Sequence, residues 1–121
     1  MPADVRRFVL TSIPSVPYLE ALLLLRANPA QSWDAAQFAR RLYVPERTGA
    51  ELVQLLRDSG IAAAADEGAG VRYAPNAELA ELLDRVAQAY ATDLLTVTEL
   101  IHSRIDRRAQ RFADAFRFRK E

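Results

Sequence analysis

The chain has 121 residues, half of them hydrophobic, which is enough to bury a core without disulfide or metal staples. It has no cysteine and a single histidine, His102, which excludes disulfides, thiolate metal sites, a cysteine nucleophile and any multi-histidine cluster. Sixteen basic and sixteen acidic residues cancel, which argues against a strong non-specific nucleic-acid binder.

The first predicted element is a short helix over Val5–Ile13, capped by Asp4, with Phe8, Val9 and Ile13 apolar. Pro14-Ser15-Val16-Pro17 interrupts it, because proline disfavours helix in its predecessor and lacks an amide donor. Ser15 then caps a helix that carries Tyr18, Leu19, Leu22, Leu23 and Leu25 to about Ala27. Apolar nearly all round, it is predicted to be a central buried helix, ended by Asn28-Pro29. The longest apolar run, Ala21–Leu25, is far short of the roughly 20 residues that span a bilayer. Met1-Pro2-Ala3-Asp4 lacks the basic start of a signal peptide. A soluble, cytoplasmic protein without a transmembrane segment is expected. Fifteen arginines against one lysine point to a GC-rich bacterial coding sequence.

Ser32 is the expected cap of a helix from Trp33 to Leu42, with Asp34 in its first turn and Trp33 as a packing anchor. Tyr43-Val44 is the turn, and Pro45 opens a helix over Glu46–Ser59, where its missing amide costs nothing. Phe38, Ala39, Leu42 and Val44 can close one side of the first helix over the turn, while Val53 and Leu56 share a face of the second. Leu52 and Leu55 are expected in the core, the alternative being an exposed apolar patch for a partner. Gly60 ends the second helix in left-handed geometry. Ile61–Ala65 and Val71–Ala74 then flank Asp66-Glu67-Gly68-Ala69-Gly70 as a β-hairpin.

From Asn76, a cap, to about Arg117 there is neither proline nor glycine. Leu79, Leu83, Val86, Tyr90, Leu94, Val97, Ile101 and Ile105 recur at alternating spacings of four and three, and Phe112 and Phe116 extend the seam. A straight helix of this length would span about 60 Å, so it must protrude, bend back or pack on another chain. The β-branched cluster Thr92, Thr96, Val97 and Thr98 is where a bend is easiest, giving one bent helix or two. A seam this long predicts a homodimer through Leu83, Val86, Tyr90, Leu94, Val97, Ile101, Ile105, Phe112 and Phe116. The expected fold is mainly α with a small β-hairpin, in two regions: 1–75, and a helical dimerisation region over 76–121.

Helix, tight turn, helix and an immediate hairpin, over Phe38-Ala39-Arg40-Arg41-Leu42-Tyr43-Val44-Pro45 through Val53, Leu56 and Ser59-Gly60-Ile61, resemble the winged helix-turn-helix of bacterial transcription regulators. MarR-like and PadR-like proteins, which dimerise through a C-terminal helix, are the most similar types; the resemblance covers roughly residues 15–75. It implies a DNA-binding homodimeric regulator whose second motif helix enters the major groove. Arg47, Thr48, Gln54 and Arg57 would then face the groove, Arg40 and Arg41 would lie near phosphates, and Arg72 on the wing would reach the backbone or minor groove. Tyr43 stands where such a turn often has glycine. Ala50, Glu51, Leu52 and Leu55 occupy positions usually polar or basic in DNA readers.

The rival reading keeps the fold but binds a partner protein through Leu52, Leu55 and the tail. Residues 61–91 carry a net charge of −3 and residues 104–120 one of +5, so the basic end lies away from the helix-turn-helix in sequence. The tail reads first as a solvated face with an aromatic edge; phosphate contact and a membrane surface are its alternatives. His102 beside Ser103 lacks an acid at a recognisable spacing and reads as a packed or interface residue. No glycine-rich phosphate loop, nucleophile elbow or carboxylate metal motif occurs, so no cofactor is expected and an enzyme is the weakest class.

Overall fold

The structure, a computed structural model, describes residues 1–103. It is mainly helical with one two-stranded antiparallel sheet. In chain order come α1 (Ala3–Ser12), α2 (Val16–Ala27), α3 (Ala35–Leu42), α4 (Glu46–Asp58), β1 (Ala62–Ala64), β2 (Val71–Tyr73) and α5 (Ala77–Thr92). Residues 94–103 are helical again, as α6. The contacts divide the described residues into two compact units, Pro17–Asp84 and Met1–Val16 with the described residues from Arg85 onward. This differs from a division at residue 75, because α1 shares its unit with the second half of α5 and with α6.

In the unit Pro17–Asp84, α2 buries Tyr18, Leu19, Ala21, Leu22 and Leu25, but Leu23 and Leu24 are only half-buried. The expected all-round burial of α2 therefore fails on one side. Trp33 is not the start of α3. It is extended, and its amide and carbonyl exchange two 2.8 Å hydrogen bonds with Val71. The cap is Asp34 rather than Ser32: its side chain accepts from the Gln37 amide while Gln37 Oε1 accepts from the Asp34 amide, both at 2.8 Å. This reciprocal box satisfies two amides that would otherwise be orphaned. The buried Trp33 ring stacks on Phe38 at 5.3 Å. Gly70 lets the hairpin come this close, since a Cβ there would lie 2.9 Å from the Trp33 carbonyl oxygen.

β1 and β2 pair in the register Ala62 with Tyr73 and Ala64 with Val71, so Trp33, β2 and β1 lie side by side in that order. Gly60, at φ +79°, turns the chain out of α4 into β1. Tyr18 fixes the C-terminus of α4 to α2: its hydroxyl donates to Ser59 Oγ at 3.1 Å, and Ser59 in turn donates to the Leu56 carbonyl. Burial pushes the Tyr18 phenol pKa up, opposed by the Ser59 bond. Tyr73 is pushed up as well, by burial and then by the Asp84 carboxylate; Arg26, which donates to Asp84 at 2.8 Å, offsets part of this.

In the other unit, Val5, Val9 and Ile13 are buried with Val86, Val97 and Ile101. Asp4 pairs with Arg85. Desolvation raises the Asp4 pKa, but the Arg85 hydrogen bond and charge and the Val5 amide outweigh it and hold the carboxyl below its usual value. Asn76 caps α5, accepting the Leu79 amide at 2.8 Å. The helix breaks at Asp93, at the start of the β-branched cluster. The Thr92 hydroxyl donates back to the Gln88 carbonyl, a bond that bends helices, and the Asp93 carbonyl accepts the first amide of the next turn, from Val97. Two helices, not one, therefore carry the described part of the seam. Among the described residues no single helix is long and apolar enough to cross a membrane.

α4 crosses α3 with backbone against backbone. A Cβ at Gly49 would sit 2.2 Å from the Ala35 carbonyl oxygen. Alanine is the better helix former by about 1 kcal/mol, but overpacking against a backbone atom costs about 1–3 kcal/mol or more. Gly49→Ala is therefore expected to lower the unfolding free energy, read from urea denaturation. An unchanged or raised value would mean that the helices do not cross here.

Candidate functional site

The region singled out by the sequence is α3, its turn and α4, and one backbone feature shapes it. Tyr43 takes φ 57° and ψ 45°, the left-handed conformation that a glycine would adopt freely. The turn is thus as tight as a glycine turn, with the Tyr43 and Val44 amides both donating to the Ala39 carbonyl. A tyrosine pays about 1–2 kcal/mol for this geometry. Its side chain, 95% exposed, recovers nothing from packing on the described residues. Pro45 then caps α4, and its carbonyl accepts the Gly49 amide.

The buried stripe of α4 is Gly49, Leu52 and Leu56, spaced i, i+3, i+7, with Val53 half-buried beside it. Leu52 and Leu55 part company: Leu52 is 3% exposed, as expected of core, whereas Leu55 is 44% exposed. The rotation that buries position 52 turns position 55 outward by about 300°, onto the flank of the outer face. That face consists of Glu46, Arg47, Ala50, Glu51, Gln54, Leu55, Arg57 and Asp58, all exposed.

The expected DNA-contacting residues are placed as follows. Arg40 and Arg41 are exposed in the last turn of α3, with no ion pair among the described residues. Arg47 is exposed but turned toward Glu51, Nε to Oε1 3.6 Å. Thr48 is half-buried. Gln54 donates its Nε2 to Asp58 Oδ1 at 2.8 Å, and Arg57 is exposed. Arg72 on β2 lies 3.7 Å from Asp66 of the hairpin loop. α4 carries Arg47 and Arg57 against Glu46, Glu51 and Asp58, a net charge of −1. The loop adds Asp66 and Glu67 beside Arg72, another −1. Of the expected DNA-contacting arginines, Arg40, Arg41 and Arg57 form no ion pair with a described residue, and Arg40 and Arg41 are adjacent.

The residues expected at a dimer interface are also redistributed. Leu83, Val86, Val97 and Ile101 are fully buried within the single chain, so they have no surface left for a partner. Tyr90 is half-buried, and Leu94 is 49% exposed. Ile105, Phe112 and Phe116 lie outside the described residues. His102, expected to be packed or at an interface, is exposed in the single chain. Among the described residues no three His, Cys, Asp or Glu side chains gather where they could hold a metal ion.

Sequence reasoning missed the exposed Tyr43, the exposed Leu95 and a shallow cleft of about 330 Å³ lined by Glu20, Leu23, Leu24, Arg41 and Leu42. Four adjacent leucines in α2 were the one signal for the cleft, since a single helix between neighbours rarely covers every side. No family model, curated protein or solved structure matches the chain.

Two stability measurements check this geometry. Leu52→Ala is expected to cost roughly 2–5 kcal/mol and Leu55→Ala less than about 1 kcal/mol; equal losses would put both leucines in the core. Tyr43→Gly is expected to stabilise by roughly 0.5–1 kcal/mol, the relieved strain less the added freedom of the unfolded chain. A loss from Tyr43→Gly would refute the left-handed turn.

Proposed function

We propose that residues 17–84 form a winged helix used as a protein-interaction module, with the outer face of α4 as its contact surface. The order of elements supports the fold: α2, the extended Trp33, α3, the tight turn, α4 and the β1–β2 hairpin, with Trp33 antiparallel to β2. The observation that carries the functional reading is the composition of α4's outer face. In a helix meant for the major groove this face would be basic or polar. Here its charge is −1, Arg47 is engaged by Glu51, and Ala50 and Leu55 expose apolar surface between the charges. An apolar centre with a rim of both charge signs suits a protein surface better than a phosphate backbone.

The second reading, a homodimeric DNA-binding transcriptional regulator, is favoured by Arg40, Arg41 and Arg47 standing exposed around the helix–turn–helix. In it Arg40 and Arg41 hold phosphates and Arg47 reads a base, at a cost of roughly 1–3 kcal/mol when replaced.

Fluorescence anisotropy with a mixed-sequence duplex, at low and physiological salt, separates the two. The interaction reading expects binding weaker than about 10⁻⁴ M at physiological salt, below the ordinary range for non-specific DNA binders. A dissociation constant near 10⁻⁶ M that weakens steeply with salt, and is lost in Arg41→Ala, would establish the DNA reading instead.

A further inference from the structure

The buried stripe of α4 is Gly49, Leu52 and Leu56; at about 100° per residue, the side opposite it carries Arg47, Glu51, Gln54 and Asp58. All four are exposed. Their spacing of four, three and four is that of a seam between two helices. Among the described residues their partners are one another: Arg47 Nε lies 3.6 Å from Glu51 Oε1, and Gln54 Nε2 donates to Asp58 Oδ1. Exposed pairs of this kind are worth little, so they exchange for others at little cost. The order of the four is complementary to itself. Arg47 and Asp58 are equidistant from the midpoint between Leu52 and Val53, and so are Glu51 and Gln54. An antiparallel copy of α4, related by a two-fold axis at that midpoint, sets its Asp58 against Arg47 and its Gln54 against Glu51, and each contact occurs twice. A parallel copy in register sets Arg47 on Arg47, Glu51 on Glu51 and Asp58 on Asp58, like charge on like. Leu55, 44% exposed, flanks the stripe, and the same two-fold brings it beside Thr48 of the other copy.

We propose that the partner of this face is a second copy of the chain, docked antiparallel so that Arg47 pairs with Asp58, and Glu51 accepts from Gln54, of the opposite copy. The proposal rests on the protein-interaction reading above and deepens it by naming the partner. The carboxylate and guanidinium that each copy now pairs within its own helix find equivalent partners across the two-fold axis. The seam is polar and α4 has 13 residues, about 20 Å of helix, so the contact is small. Its pairing is therefore weak and reversible, with a dissociation constant on the order of 10–100 μM that rises with salt.

The test is sedimentation equilibrium of the full chain from about 1 to about 500 μM, a range that spans such a constant. A dimer is expected to form across it. Arg47→Glu and Asp58→Arg are each expected to weaken self-association at least about tenfold, because each turns two attractive contacts repulsive. Both side chains are exposed, so thermal unfolding is expected to stay within about two degrees of the parent's. An equimolar mixture of Arg47→Glu and Asp58→Arg chains is expected to associate as tightly as the parent. In that antiparallel pair the two altered residues oppose each other with reversed signs, and the unaltered Arg47 and Asp58 still meet. A mixture that stays monomeric while the parent dimerises overturns the antiparallel docking. A dimer indifferent to both substitutions overturns α4 as its site. A parent chain monomeric throughout overturns the second copy as partner and leaves the protein-interaction reading standing for a different protein; that reading fails separately, on saturable DNA binding.

Discussion

α4 lies on α3 at a distance that only a glycine allows, with the Gly49 Cα facing the Ala35 carbonyl where a Cβ would have 2.2 Å. That crossing fixes the rotation of α4 about its own axis. Once Gly49 points at α3, Leu52 and Leu56 follow into the core, and Ala50, Glu51, Gln54 and Leu55 point away from it. The same crossing demands a turn of two or three residues, and Tyr43 meets the demand by taking a left-handed backbone at its own expense. At the far end, the Tyr18–Ser59 bond and Gly60 hold α4 while the chain reverses into β1. The hairpin is in turn pinned to the start of α3 by the paired backbones of Trp33 and Val71. Every contact surface discussed above on residues 17–84 is what this arrangement leaves outside.

The outward face is informative because its charges neutralise one another locally. Arg47 with Glu51 and Arg72 with Asp66 are exposed pairs of little worth to stability. Their consequence is electrostatic: a phosphate approaching either arginine meets a carboxylate as well. Tyr43 points the same way. A strained residue whose side chain packs on none of the described residues gets no structural return from them for its conformation, and such strain gathers where a surface is used. Tyrosine and arginine are also the residues over-represented at energetically dominant interface positions, and Tyr43 follows directly on Arg40, Arg41 and Leu42.

Much of this was legible in the residues, for local reasons. The helix ends at Asn28-Pro29, the left-handed Gly60, the Asn76 cap and the hairpin around Gly68 and Gly70 are all set by short-range chemistry that a few neighbouring residues declare. The Asp34–Gln37 box was declared as well, four residues long, but Ser32 two positions earlier offered a competing cap. What decided between them was the pairing of Trp33 with Val71, thirty-eight residues away, which periodicity cannot reveal. The same holds for the seam after Asn76. Its spacing of three and four marked Leu83, Val86, Val97 and Ile101 as one apolar seam, expected to meet a second chain. The sequence could not tell that Leu83 would be covered within the chain, or that Val86, Val97 and Ile101 would share a unit with Val5, Val9 and Ile13 rather than face a partner helix. Leu52 and Leu55 differ only in rotation about α4, and that rotation is set by Gly49, a residue without a side chain to read.

The most direct measurement of α4's role is amide chemical-shift mapping of the isotope-labelled chain during titration with a mixed-sequence DNA duplex in low salt. A neutral-to-acidic contact face for protein predicts no saturable shift along Glu46–Asp58, with at most weak, salt-sensitive changes at Arg40 and Arg41. Saturable shifts at Arg47, Thr48, Gln54 and Arg57 would place α4 in the major groove and contradict the protein-interaction reading.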